Sequence, residues 1–363
     1  MIAFRSGLRV ALPWRLVAAL SAGLALFCAN RPCSAEMAGW DNVITAAKAE
    51  GGLVLYTALL GVPSTKAIAK AFEAKYGIPV QVLEARASEL RERIRTEQAA
   101  GRYLGDVMFN SENQALILRA EDKSIVPHEP VPTAAGLTEP FRDDGLKSPV
   151  MTINYALLVN NRLVPPAEEP KSWLDLTDPK WKGKILSDDM RAVGGGYVLF
   201  YVTEEKLGKA YHEALATQDI QFTREQREAA KRVARGEMAI YMPFNLGDLQ
   251  SLKGLPVRTV MPAEGAPYVL YAAAAMKGAP HPNAARLYID FIMSEQVQKI
   301  FAQDGYGIVR REVLDQVTPE ARSIADVKLM GGSDPAKQNE MLDLARSIYK
   351  CRLLRPAESA MIF

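Results

Sequence analysis

Between residues 52 and 109 three short apolar runs alternate with two amphipathic segments, and this order limits the chain to few folds. Residues 52–57, 79–83 and 105–109 are each five or six residues long and rich in Val, Leu and Phe. Their length and composition predict strands. Residues 63–76 place Ile68 and Phe72 on one helical face. Residues 88–100 repeat the pattern, with Ser88 read as the cap. Strand and helix in alternation predict a parallel sheet with right-handed crossovers. Ligands of such sheets sit beyond the carboxyl ends of the strands. That rule collects residues 57–65, 86–88 and 110–112 on one rim.

The pattern changes near Met151. Residues 152–159 form a strand long enough to pass between two bodies, and residues 267–272 look like the return strand. Two lobes follow as an expectation: 36–151 with 274–363, and 152–273. The first 35 residues have the order of a secretory signal: Arg5, Arg9 and Arg15, then an apolar run over 16–27, then Ser34-Ala35. The run falls short of the roughly 20 apolar residues that span a bilayer. Cleavage after Ala35 removes Cys28 and Cys33 and leaves Cys351 alone. The exported chain would then rest on its core rather than on an intramolecular disulfide.

Three stretches carry a family resemblance. Pro170-Lys171-Ser172-Trp173-Leu174-Asp175-Leu176 continues through Pro179-Lys180-Trp181-Lys182-Gly183-Lys184. Asn283-Ala284-Ala285-Arg286-Leu287-Tyr288-Ile289-Asp290-Phe291 runs on to Gly305-Tyr306 and Val309-Arg310. Gly105-Asp106-Val107 follows the second helix. Together they resemble bacterial extracellular solute-binding proteins of the ferric-ion-binding type. The resemblance implies an α/β fold of the type II periplasmic binding protein: two α/β lobes joined by two crossover strands, with a ligand cleft between them. It also implies a monomer in the periplasm that hands a small molecule to an inner-membrane ABC permease. Trp173, Trp181, Tyr288 and Phe291 read physically as packing residues, with Leu287 and Phe291 on one apolar face.

The resemblance further implies an adjacent tyrosine pair where iron is the ligand. The corresponding stretch here, 239–248, holds Tyr241 alone. His128, His212 and His281 have no metal-like spacing. Metal and cofactor are therefore not expected, and ferric ion is the second reading. The rim offers neutral donors at helix starts instead: Thr57, Ser64, Thr65, Ser88, Asn110 and Ser111 from the first lobe, and Gly195 and Asn245 from the second. Helix N-termini favour anions through free N–H groups and the helix dipole. With Arg86 and Arg191 as bidentate partners, they predict a carboxylate, phosphate, phosphonate or sulfonate ligand. The same serines also suit plain N-caps.

Forty-four Lys and Arg against 42 Asp and Glu give a formal charge of +2, without a basic stripe for nucleic acid. A nucleophile elbow, a His-Glu-x-x-His motif and a phosphate loop are all missing, so no enzyme is expected. Transport and a sensor-partner role share these features.

Overall fold

The computed structural model describes residues 32–350, with side chains from residue 39 onward. The expected signal segment lies almost wholly outside the described residues.

Helix α1 (Pro32–Glu50) precedes the first strand and was not anticipated. The first lobe then follows the expected order: β1 (Leu53–Thr57), α2 (Pro63–Tyr76), β2 (Val80–Glu84), α3 (Ala87–Ala99), β3 (Val107–Ser111) and α4 (Glu112–Ala120). Strand β1 runs parallel to both β2 and β3, as the crossovers require. Ile68 and Phe72 are buried from α2 as its periodicity predicted.

Strand β4 (Ser148–Asn160) passes between the lobes. The second lobe holds β5 (Ile185–Asp188), α5 (Gly195–Leu207), α6 (Lys209–Leu215), β6 (Gln221–Thr223), α7 (Gln226–Ala234), β7 (Ile240–Asn245) and β8 (Val257–Val260). Strand β9 (Ala266–Ala275) returns, followed by α8 (Pro282–Ile292), α9 (Glu295–Gln303) and β10 (Gly307–Ile308). The chain ends its described part with α10 (Pro319–Ala325), β11 (Leu329–Gly331) and α11 (Gln338–Ile348).

The strands connect in the order β2-β1-β3-β9-β4-β7-β5-β6, with β8 and β10 on β4 and β11 on β9. The parallel triplets lie at the two ends; β4 is antiparallel to its neighbours, and β9 is antiparallel to β3 and β4 but parallel to β11. Residues 148–154 of β4 pair with β9, and 155–160 pair with β7 and β8. One strand thus belongs to both lobes.

Each lobe has its own core. In the first, Phe72, Tyr288 and Phe291 pack edge to face at 5.1–5.4 Å. In the second, Trp173 and Trp181 pack in one core with Ile185 of β5 and Tyr197 and Phe200 of α5. Trp173, Trp181, Tyr288 and Phe291 are buried, so these four residues of the resembling stretches are packing residues. Glu50 at the end of α1 accepts from the N–H groups of Asn283 and Ala284 at 3.1 and 2.8 Å and so caps α8.

The C-terminal segment departs from the expected division, which left 274–363 with the first lobe. Met330, Met341, Leu342, Ala345 and Tyr349 pack in the second lobe's core. The cause is the apolar face of α11, which fits against α5, and the pairing of β11 with β9. The chain therefore passes between the lobes a third time, between α10 and β11.

Candidate ligand-binding cleft

A cleft of about 720 Å³ lies between the lobes. The first lobe lines it with Arg86, Ala87, Asn110, Ser111 and Asn113, and the second with Gly194, Gly195, Tyr197 and Gln226. Tyr155 on β4 and Tyr268 and Tyr271 on β9 form its back wall, and Gly332, Ser333 and Asp334 close one side. The loop after β11 reaches across: Asn113 Nδ2 donates to Ser333 Oγ at 3.1 Å.

Helix α4 opens onto this cleft without a side-chain cap. Ser111 leaves β3 directly into the helix, so its hydroxyl does not fold back on the first turn. Asn110 is buried and its Oδ1 accepts from the Ser111 N–H at 2.7 Å, fixing the strand-to-helix corner. The carboxylate of Glu112 in the first turn is drawn to Lys147 Nζ at 2.7 Å. The first turn of α4 thereby keeps its dipole and donors toward the cleft.

The starts of α2 and α5, like that of α8, already hold a carboxylate of the protein. Asp304 Oδ2 accepts from the Ser64 N–H at 2.9 Å at α2. Asp188 Oδ2 accepts from the Gly196 N–H at 2.7 Å at α5 and from Gln226 Nε2 at 3.1 Å. Burial pushes the Asp188 carboxyl up, against those two donors. Glycine is required there, because a Cβ on Gly196 would collide with the Asp188 carbonyl. A Cβ on Gly195 would lie 3.2 Å from the Tyr155 ring.

Of the residues named from sequence, the cleft brings together Arg86, Asn110, Ser111 and Gly195. It does not include the others. Thr57 is buried and its Oγ1 accepts from the Leu59 N–H. Ser64 and Thr65 are buried with hydroxyls that lack a partner among the described residues. Ser88 is the second residue of α3, not its cap, and lines an open groove on that helix's outer side with Glu89 and Arg93. Asn245 caps the turn 246–252 by accepting from the Gly247 N–H. Arg191 corrects the expectation most clearly. Its guanidinium donates to both oxygens of Asp189 and to the Tyr349 carbonyl, and stacks on Phe222 at 4.6 Å. It ties the C-terminal helix to the second lobe and takes no part in lining the cleft.

The aromatic wall escaped the sequence reading. Strand alternation puts residues i and i+2 on one face, so Ile153 with Tyr155 and Val269 with Tyr271 were there to be read as pairs. Burial raises the Tyr271 phenol to about 12 and holds the Tyr155 phenol higher still, with the Tyr271 phenol and the Asp188 and Asp248 carboxylates adding to its shift. Both are neutral hydrogen-bonding surfaces at ordinary pH. Among the described residues no group of three or more His, Cys, Asp or Glu is gathered as a metal site would need. None of the described helices is long and apolar enough to cross a membrane.

Residues 67–330 match the family model of the bacterial extracellular solute-binding proteins. The chain belongs to that family. Solute-binding proteins of this type supply ABC transporters from the extracellular or periplasmic side, and the two-lobed architecture agrees with it. This solute-binding protein is 30% identical over 159 residues to an uncharacterized protein of Haemophilus influenzae; the match takes in 42% of this chain and 45% of that one, under half its length. The iron-bound HitA of Pseudomonas aeruginosa is 25% identical, with a TM-score of 0.64 over 82% of this chain and 99% of that chain. The periplasmic binding protein AfuA of Actinobacillus pleuropneumoniae, solved with fructose 6-phosphate bound, is also 25% identical, with a TM-score of 0.60 over 82% and 96% of the two chains.

Proposed function

We propose that this solute-binding protein captures a small anionic solute, of the organic phosphate, phosphonate, sulfonate or carboxylate class, and delivers it to an inner-membrane ABC permease. One observation carries the reading. The uncapped start of α4, with Ser111 and Asn110, faces a cleft that also holds Arg86. A helix N-terminus and a guanidinium together favour a negative group. The tyrosine wall and the amides of Asn113 and Gln226 suit a hydroxylated body attached to that group. AfuA, with its sugar phosphate, supports the same class. The division into lobes at about 152 and 273, with a further crossing between α10 and β11, the cleaved signal at 1–35 and the monomeric state belong to the same proposal.

Ferric ion is the second reading, favoured by HitA with its iron. Here β7 ends in Phe244 and Asn245, and Tyr241 is buried in the strand. A thermal-shift screen separates the readings. A ligand specific to the folded state raises stability by about 2.7 kcal/mol at a hundredfold excess over Kd. Organic phosphates or carboxylates should shift the melting temperature; a shift with ferric citrate alone would reverse the order.

A further inference from the structure

We propose that the second lobe carries another small-molecule site, adjoining the cleft at Gln226, for a small zwitterion with an ammonium group at one end and a carboxylate or phosphate at the other. The site is a cavity of about 310 Å³ between the start of α7 and the turn 246–252. Its volume lies at the lower end of small-molecule sites.

Charge of both signs meets in this cavity without forming an ion pair among the described residues. Arg227 and Lys231 line it one helical turn apart on α7. Among the described residues neither has an ion pair or a side-chain hydrogen bond, and like charges at this spacing repel. Asp248 lines the opposite side. Among the described residues its carboxylate accepts only from Asn245 Nδ2, at a long 3.3 Å. Burial pushes the Asp248 carboxyl up, and the charge of Arg227 and the hydrogen bond from Asn245 only partly offset this. A simple anion entering here would meet Asp248, and a simple cation would meet Arg227 and Lys231. A ligand with both charges answers both.

The remaining walls agree. Tyr241 is 1% exposed and its hydroxyl has no hydrogen-bond partner among the described residues. Buried hydroxyls are nearly always paired, and a ligand would supply the missing partner. The rings of Tyr241 and Phe244 meet edge to face at 6.5 Å and offer π surface to an ammonium. Ala230, Leu252 and Leu255 leave an apolar strip for a short alkyl spacer. The two cavities share Gln226, whose amide donates to Asp188 at the start of α5. Occupation of one is thus in contact with the wall of the other.

Calorimetric titration of the whole protein with γ-aminobutyrate and phosphoethanolamine tests the site. Butyrate, butylammonium and inorganic phosphate serve as single-charge controls. At least one zwitterion should bind at one per chain, with the controls about tenfold weaker or worse. Asp248→Asn should weaken that zwitterion about tenfold, as should the double substitution Arg227→Gln and Lys231→Gln. Both cations are exposed, so the double variant carries the test even if Asp248→Asn fails to fold. The site is refuted if no zwitterion binds, if a single-charge control binds as well, or if the double variant binds as the parent does, since the ligand would then sit elsewhere.

Discussion

Asn113 and Ser333, 220 residues apart in sequence, are joined across the mouth of the cleft by a hydrogen bond of 3.1 Å. Asn113 belongs to the first turn of α4 in the first lobe. Ser333 belongs to the loop that β11 and α11 fasten to the second lobe. The bond exists only while the lobes are together, so it stabilises the closed form alone. A neutral hydrogen bond is worth roughly 0.5–1.5 kcal/mol. Asn113→Ala should therefore release a bound solute about two- to tenfold faster. Stopped-flow dissociation measures this directly; an unchanged rate would mean that the loop follows the first lobe on opening.

Arg191→Ala should cost stability and leave affinity nearly intact. Its guanidinium is held by Asp189 and the Tyr349 carbonyl and lies over Phe222. Losing these half-buried contacts should cost about 1–3 kcal/mol in denaturant unfolding. Arg86→Ala should do the reverse, because Arg86 lines the cleft and its ion pair with Glu89 is long and exposed. A large affinity loss in the Arg191 variant would restore the role expected from sequence.

His212 makes stability depend on pH. Burial lowers its imidazole from 6.5 to about 3. Thr203 Oγ1 donates to the Leu199 carbonyl, so it accepts from His212 Nε2, and Nδ1 accepts from the Tyr349 hydroxyl at 2.7 Å. The folded state thus requires the neutral ring. Below pH 6.5 the unfolded chain takes up a proton that the folded one refuses. Stability should fall by about 1.4 kcal/mol per pH unit between 6.5 and 3 on this account, and be fully present above 6.5. Urea unfolding of the parent and of His212→Gln across pH 4–8 checks it. Equal slopes in the two would contradict the assignment.

Gly196→Ala should destabilise α5 at its start. The new Cβ would meet the Asp188 carbonyl, which is backbone and cannot rotate away. Overpacking of this kind costs about 1–3 kcal/mol. A melting temperature equal to the parent's would show that the strand end can yield.

How much of this was legible in the sequence depended on range. The order β1-α2-β2-α3-β3 was visible because apolar period is local, and Trp173 and Phe291 were visible as packing residues for the same reason. Asn110, Ser111 and Arg86 follow from the rule that ligands sit at carboxyl ends of strands, and Gly195 from its place at a helix start. Arg191 was misassigned because one of its partners, Tyr349, lies 158 residues away. Ser64 was misassigned because Asp304, 240 residues on, already occupies the start of α2. No local pattern signals a carboxylate that arrives from so far along the chain. The C-terminal crossing was missed for the same reason: the apolar face of α11 fits either lobe until its partner is known.

The central claim is that the cleft selects its solute by a negative group at the start of α4. Calorimetric titrations with a panel of organic phosphates, phosphonates, sulfonates and carboxylates, each paired with its uncharged counterpart, test it most directly. The account predicts saturable binding of at least one anion at one per chain, no measurable binding of its uncharged counterpart, and about a tenfold or greater loss on Arg86→Ala, as removal of a charged partner implies. Binding of an uncharged compound as tight as its anion, or a one-to-one coloured complex with ferric citrate while every organic anion stays silent, would contradict it.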